Sequence, residues 1–336
     1  MTQLPQILPN AVTGRKLLLW AAGLSLALVV LALLCSLVGQ YRLTREIWLI
    51  RIYRGAAAAV VGVSLAVAGL ALQALLRNPL AEPYILGISS GAGVGVLCGL
   101  ALATHLVLPE WATTSGLAMV GGLVTAVVVY AIAHRRGRLD PYVLLLAGVM
   151  INVFNGALIL VILQFTQKDE MIKFIGWGMG KVPEWIWNEP NLLVVSAGAV
   201  LVAWLAIFAR GAAFNTLGLG DAVASSAGVS VHSLRIQTFV IVSLMTAVAV
   251  SLAGPIGFLG LIVPHVCRML LGPDHRLLVI VAGFGGAMFL IAADTLCRLI
   301  HIWTGMGELP VGVITAMAGG PFFIYLLRTR RSGGVQ

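Results

Sequence analysis

Apolar residues run along this chain in long blocks instead of alternating with polar ones. Blocks without a charged residue occupy 17–38, 55–76, 84–109, 111–133, 141–165, 190–209 and 309–327. Three more, at 234–253, 256–271 and 275–299, carry their few charges mostly towards their ends. An α-helix rises about 1.5 Å per residue, so about 20 apolar residues cross a bilayer core. The pattern therefore predicts an all-α, polytopic membrane protein with ten transmembrane helices, some short or interrupted, in one domain over 1–336. The first block follows Arg15 and Lys16 but is long for a signal core, and no small-x-small cleavage site follows it, so it reads as a retained helix.

Two places break the apolar pattern with Gly and Pro. One is Asn78-Pro79-Leu80-Ala81-Glu82-Pro83, followed by Gly87 and Gly91. The other is Gly254-Pro255-Ile256-Gly257-Phe258-Leu259-Gly260, followed by Pro264-His265. Irregular backbone at membrane depth survives only where protein or a water-filled cavity covers it. Breaks at corresponding positions in two halves point to a transport pathway. A short internal likeness, Val63-Ser64-Leu65 against Val242-Ser243-Leu244, supports two related halves. Small residues at Gly62, Ala66 and Gly69, and at Gly283, Gly286 and Ala287, predict close helix packing.

Composition agrees with the pattern: 60% of the 336 residues are hydrophobic and 10% charged, where a soluble domain carries about 25% charged. The net charge of +9 does not indicate nucleic acid, because the basic residues sit at the ends of apolar blocks and form no basic face. In a ten-span topology, 13 Lys and Arg fall on the face that carries both termini and 8 on the other. That bias predicts cytoplasmic termini. The four cysteines form no C-x-x-C pair and read as small apolar residues.

Two polar regions stand out between the blocks. The stretch 214–230 is partly apolar but too rich in small residues to span; Asp221 is expected to cap a short helix that Gly228 ends. It carries no Lys or Arg for lipid headgroups, so it reads as a docking surface for another protein. On the other face, the loop 164–190 holds Lys173, Lys181 and Glu184 beside Trp177, Trp185 and Trp187. Tryptophans at this level serve as interface anchors, and a contact with substrate is equally open.

Several of these segments coincide with the signature of one transporter family. R-x-x-R at 51–54, A-G-L-A-L-Q-A-L-L-R-N-P-L-A-E-P at 68–83, L-G-L-G-D-A-V-A-S-S-A-G-V at 217–229, G-P-I-G-F-L-G-L-I-V-P-H-V-C-R at 254–268 and E-L-P-V-G-V-I-T-A-M-A-G-G-P-F-F at 308–323 occur in order. Together they resemble the permease subunits of the iron-siderophore, haem and vitamin B12 importers of the ATP-binding-cassette class. The resemblance implies a homodimer in the bacterial inner membrane with the path at its interface. It implies two cytoplasmic ATP-binding subunits and a periplasmic or lipid-anchored substrate-binding protein as partners. No cofactor or catalytic centre is expected, and no G-x-x-x-x-G-K-[ST] occurs, so ATP hydrolysis falls to a partner.

By the same resemblance, Arg51, Arg54 and Arg298 dock acidic residues of the binding protein. Asn78 and Leu80 narrow the cytoplasmic end of the path. The second constriction, in the loop before the fifth helix, maps to Pro141 and Tyr142, where some relatives have small hydroxyl residues. Leu217, Gly218, Gly220, Asp221, Ala224 and Gly228 fall in the segment that couples to the ATPase. The stretch 177–182, W-G-M-G-K-V, departs from the family pattern. The competing class is an ion-coupled secondary transporter, for which Asp294 is the main buried ionisable candidate. Asp294 also stands four residues from Arg298 on one helix face, the spacing of a local ion pair.

Overall fold

A computed structural model describes residues 13–39, 44–103, 109, 111–135, 137–305 and 307–331. Residues 104–108, within the expected third span, lie outside these. The described residues form α1 (Gly14–Leu37), α2 (Arg45–Leu76), α3 (Ile88–Ala103), α4 (Leu117–Ala133), α5 (Pro141–Leu163), α6 (Lys168–Gly178) and α7 (Pro190–Ala209). They continue with α8 (Gly211–Gly218), α9 (Asp221–Ser226), α10 (Val231–Ala253), α11 (Leu259–Leu271), α12 (His275–Thr304) and α13 (Val311–Arg331). A π-helical stretch, Ala112–Gly116, leads into α4. Seven of these segments are long and apolar enough to cross a bilayer, and Ile88–Ala103, Leu259–Leu271 and Val311–Ile324 are shorter apolar helices. Each of the ten expected blocks thus contains a helix, and among the described residues the fold is all-α apart from two-residue strands at His134–Arg135 and Arg138–Leu139.

α2 is the hub. Its 32 residues run from Arg45, ten before the charge-free block begins, so Arg51 and Arg54 lie inside the helix and not at its start. Thr44 caps its first turn by accepting from Ile47 N–H. It packs against α10, α11 and α12, and Ser64 Oγ donates to Met245 O across 2.7 Å. The two similar stretches found in the sequence therefore lie on packed partner helices.

The glycine stripes account for the closeness of this packing. A Cβ on Gly62 would stand 2.2 Å from Gly286 O, and one on Gly69 would stand 2.1 Å from Gly260 O. Both are far inside carbon–oxygen contact, so only glycine lets these backbones meet. By contrast α1 turns Leu18, Leu26 and Leu34 outward, and α7 exposes Val194, Val195 and Val202. In a membrane such faces meet lipid tails or other apolar protein, so they need no burial within the chain.

Two short stretches depart from expectation. The loop 164–190 contains a helix, α6, followed by a turn of 3₁₀ helix at Trp185–Asn188. The segment at 214–230 holds two helices, and Asp221 does not cap the second: Gly220 occupies that position and Asp221 is already helical. The Asp221 carboxylate is drawn instead to Arg77 and Arg235. Gly228, at φ +82°, does end the helix.

Candidate functional site

The two interruptions predicted from the sequence are one structural unit. Phe258 holds a left-handed backbone, φ +67°, where side-chained residues are strained. Its N–H donates to the Glu82 carboxylate. Two residues earlier, Ile256 N–H donates to Tyr84 Oη at 2.7 Å. Residues from the first break thus satisfy backbone freed by the second, as backbone at membrane depth requires. Glu82 also lies at the N-terminal end of α11, where the helix dipole favours an anion. Gln73 ties the same region together by donating to Gly260 O at 3.1 Å and accepting from Arg268 at 3.2 Å.

At one end of the bundle, three arginines from two helices converge around a cavity of about 530 Å³, lined also by Glu184, His301 and Glu308. Arg51 Nη1 donates to Ser36 O at 3.2 Å and to Leu37 O at 3.4 Å. Arg298 donates to Val38 O at 2.8 Å and to Cys35 O at 3.2 Å. These are carbonyls of the last turn and cap of α1, of which Cys35 O also accepts from Val38 N–H at 3.3 Å. Two cations from α2 and α12 therefore cap α1 and complement the negative end of its dipole.

Arg54 is only 4% exposed and holds three carboxylates at once. It donates to Asp294 from Nε at 3.0 Å and from Nη2 at 2.8 Å. Nη1 donates to Glu184 at 2.5 Å, and Nη2 also meets Glu308. Lys181 adds a bond to Glu308 at 2.8 Å. Burial by itself would raise the Glu308 carboxyl. The hydrogen bond and charge of Arg54, helped by Lys181, prevail and hold it down at about 2. The Asp294–Arg298 pair expected on one helix face exists at 3.4 Å, but Arg54 is the closer partner.

At the opposite end, α8 and α9 lie across the ends of α2, α10 and α12. Asn215 donates to Asp274 at 2.8 Å and accepts from His275 N–H at 2.9 Å, which fixes α8 to the start of α12. Leu217 and Ala224 are fully buried, whereas Gly218 and Gly228 are exposed. The large apolar side chains exposed there are Leu219 and Val223. Asp221 receives Arg235 at 2.8 Å and also Arg77, the residue before Asn78. Asn78 Oδ1 accepts from Leu80 N–H at 3.0 Å, which shapes the N-P-L turn after α2. Pro141 opens α5, Asp140 accepts from Tyr142 N–H at 2.8 Å, and the Tyr142 ring stands 71% exposed.

The FecCD transport family model matches residues 14–329. The chain belongs to the FecCD transport family. Within this family it is 40% identical over 284 residues to the cobalamin import system permease protein BtuC of Halobacterium salinarum, covering 84% of this chain and 73% of that one. It is 36% identical over 294 residues to the hemin transport system permease protein HmuU of Yersinia pestis, covering 86% of each chain. A solved inward-facing conformation of a transporter assigned to the metal-chelate ABC type superposes with a TM-score of 0.79 at 26% identity, covering 93% of this chain and 99% of that one. The FecCD fold thus accounts for nearly the whole described chain.

The acidic partners Glu82, Glu184 and Glu308 escaped assignment to these contacts, although Glu82 and Glu308 lie within the family motifs, and Asp294 was expected as a partner of Arg298 and not of Arg54. With 12 Asp and Glu in 336 residues, each acid beside an apolar block needs a cation or a freed N–H. That scarcity was the available signal.

Proposed function

We propose that this chain is the membrane-spanning permease of an ATP-binding-cassette importer that moves a metal chelate across the bacterial inner membrane. Cobalamin, haem and ferric siderophores are the candidate cargo classes. FecCD membership over residues 14–329 carries the reading, and the relatives' cobalamin and hemin names indicate the cargo. Two copies enclose the path, and ATP-driven closure of two partner ATPases alternates its access. Leu219 and Val223, beside the expected coupling residues Leu217, Gly218, Gly220, Asp221, Ala224 and Gly228, offer the ATPase an apolar contact. The Arg77–Asp221 pair joins that surface to the turn holding Asn78 and Leu80, a route from coupling segment to inner gate. Pro141 and Tyr142 form the second part of that gate.

The cavity bearing Arg51, Arg54 and Arg298 receives acidic side chains of the substrate-binding protein, and both termini lie in the cytoplasm. Ion coupling through Asp294 is the weaker reading, because Arg54 and Arg298 already pair that carboxylate. Affinity purification of the tagged permease from its native membrane tests the assignment. An ATPase subunit is expected to co-purify at equal stoichiometry, and its absence under mild solubilisation counts against an importer.

A further inference from the structure

One of the docking arginines, Arg54, is already occupied. Arg54 offers five N–H donors, and carboxylates from three separate segments use them. Asp294 sits on α12, is 2% exposed and is fixed by the helix. Glu184 and Glu308 belong to the connections before α7 and after α12, with side chains 55% and 16% exposed. A carboxylate on a connection can leave with its backbone, whereas Asp294 cannot.

The connection bearing Glu184 is pinned at a second point. Lys181 N–H donates to Ala253 O at 2.9 Å, and Gly312 N–H donates to Gly180 O at 3.0 Å. A Cβ on Gly180 would meet Pro255 O at 2.2 Å, one on Gly254 would meet Trp177 O at 2.2 Å, and one on Gly312 would meet Met179 O at 2.3 Å. Three glycines therefore let the end of α6, the second helix break and the start of α13 meet backbone to backbone. This node contains 177–182, the W-G-M-G-K-V stretch read in the sequence as a departure from the family pattern. Lys181 belongs to both parts, since its side chain holds Glu308 while its N–H holds Ala253 O.

We infer that Glu184 and Glu308 form an exchangeable clasp: a carboxylate brought by the docking protein replaces them on Arg54 and loosens the 177–182 node from α10 and α13. The inference rests on the docking reading above. Asp294 stays on Arg54 throughout, so the buried guanidinium never loses all its charge partners. Exchange of like for like makes docking sensitive to the two native acids, which act as competitors.

The test measures docking of the importer's own substrate-binding protein to the full permease in lipid nanodiscs, with hydrogen–deuterium exchange on the same samples. Glu184→Gln is expected to tighten docking about two- to fivefold, the scale of an exposed ion pair. Glu308→Gln is expected to tighten it about tenfold, the scale of a charge-assisted bond. In the unmodified protein, docking is expected to speed exchange at the Lys181 and Gly312 amides. Docking that is unchanged or weaker in both variants, with those amides equally protected in the complex, overturns the clasp alone. No docking by the unmodified permease overturns the docking reading and the clasp together.

Discussion

Asp294→Asn tests the buried end of the arginine cluster. The substitution keeps the side chain's shape and removes its charge. The amide oxygen can still accept from Nε at 3.0 Å and Nη2 at 2.8 Å, but Arg54 loses the negative charge and the second oxygen, which accepts from Nε at 3.1 Å and becomes an NH2 group facing the guanidinium. Both partners are almost wholly buried, 4% and 2% exposed, so water cannot replace what is lost. Removing one member of such a pair costs about 3–5 kcal/mol. Glu184 and Glu308 remain on Arg54, which sets the expected loss near the lower end, about 3 kcal/mol. At about 2 °C per kcal/mol for a long chain, the midpoint of thermal unfolding falls by roughly 6 °C. The assay is heating of purified protein in nanodiscs, followed by loss of the monodisperse peak. Arg54→Met combined with Asp294→Leu removes the buried pair, leaves Glu308 to Lys181 and the half-exposed Glu184 to water, and is expected to regain part of the loss, because a well-packed apolar pair substitutes for a buried ion pair. A midpoint within about 1 °C of the unmodified protein for Asp294→Asn, or a double variant as unstable as the sum of the singles, refutes the reasoning.

Three further outcomes are expected. Gly69→Val places a side chain into Gly260 O, only 2.1 Å from its Cβ, and is expected to lower stability by at least about 1–3 kcal/mol; an unchanged unfolding midpoint contradicts the close approach of α2 and α11. Asp221→Ala removes the partner of Arg77 and Arg235, in pairs where Asp221 is 47% exposed, so stability shifts by less than about 1 kcal/mol while uptake per ATP hydrolysed falls. Full coupling in that variant refutes the proposed route to the gate. Glu308 is held at about 2 against an ordinary 4.5. Its stabilising share is therefore complete above pH 4.5 and lost as pH falls from 4.5 towards 2. The midpoint difference between the unmodified protein and Glu308→Gln is expected to shrink across that window and stay flat from pH 7 to 5; a difference that is constant down to pH 3 refutes it.

The spans were legible because hydrophobic runs of helical length leave little else for the backbone to do in lipid. The apolar block 190–209 coincides with a helix, since Pro190 starts α7 and Arg210 follows its end. α2 extended ten residues beyond its apolar block because Arg51 and Arg54, read as marking a helix end, find carbonyl and carboxylate partners inside the protein. α6 was missed because its residues mix charge with Ile, Phe and Trp, a pattern too short and too polar to read as a span. Both breaks were visible as Gly and Pro clusters. Their union through Glu82 and Tyr84 was not, because contacts separated by more than 170 residues leave no local period in sequence. The arginines were likewise picked out through the family motifs, while the pairing that buries them depends on α12, the end of α1 and two connections meeting in space.

Uptake in proteoliposomes tests the central claim most directly. The permease is reconstituted with its ATPase subunit, the loaded substrate-binding protein is added outside, and labelled cobalamin, haem or ferric siderophore is followed inward. Accumulation of one of these chelates is expected only with ATP inside, with both partners present and with no ion gradient. Accumulation driven by an ion gradient in the permease alone would contradict an ATP-driven importer.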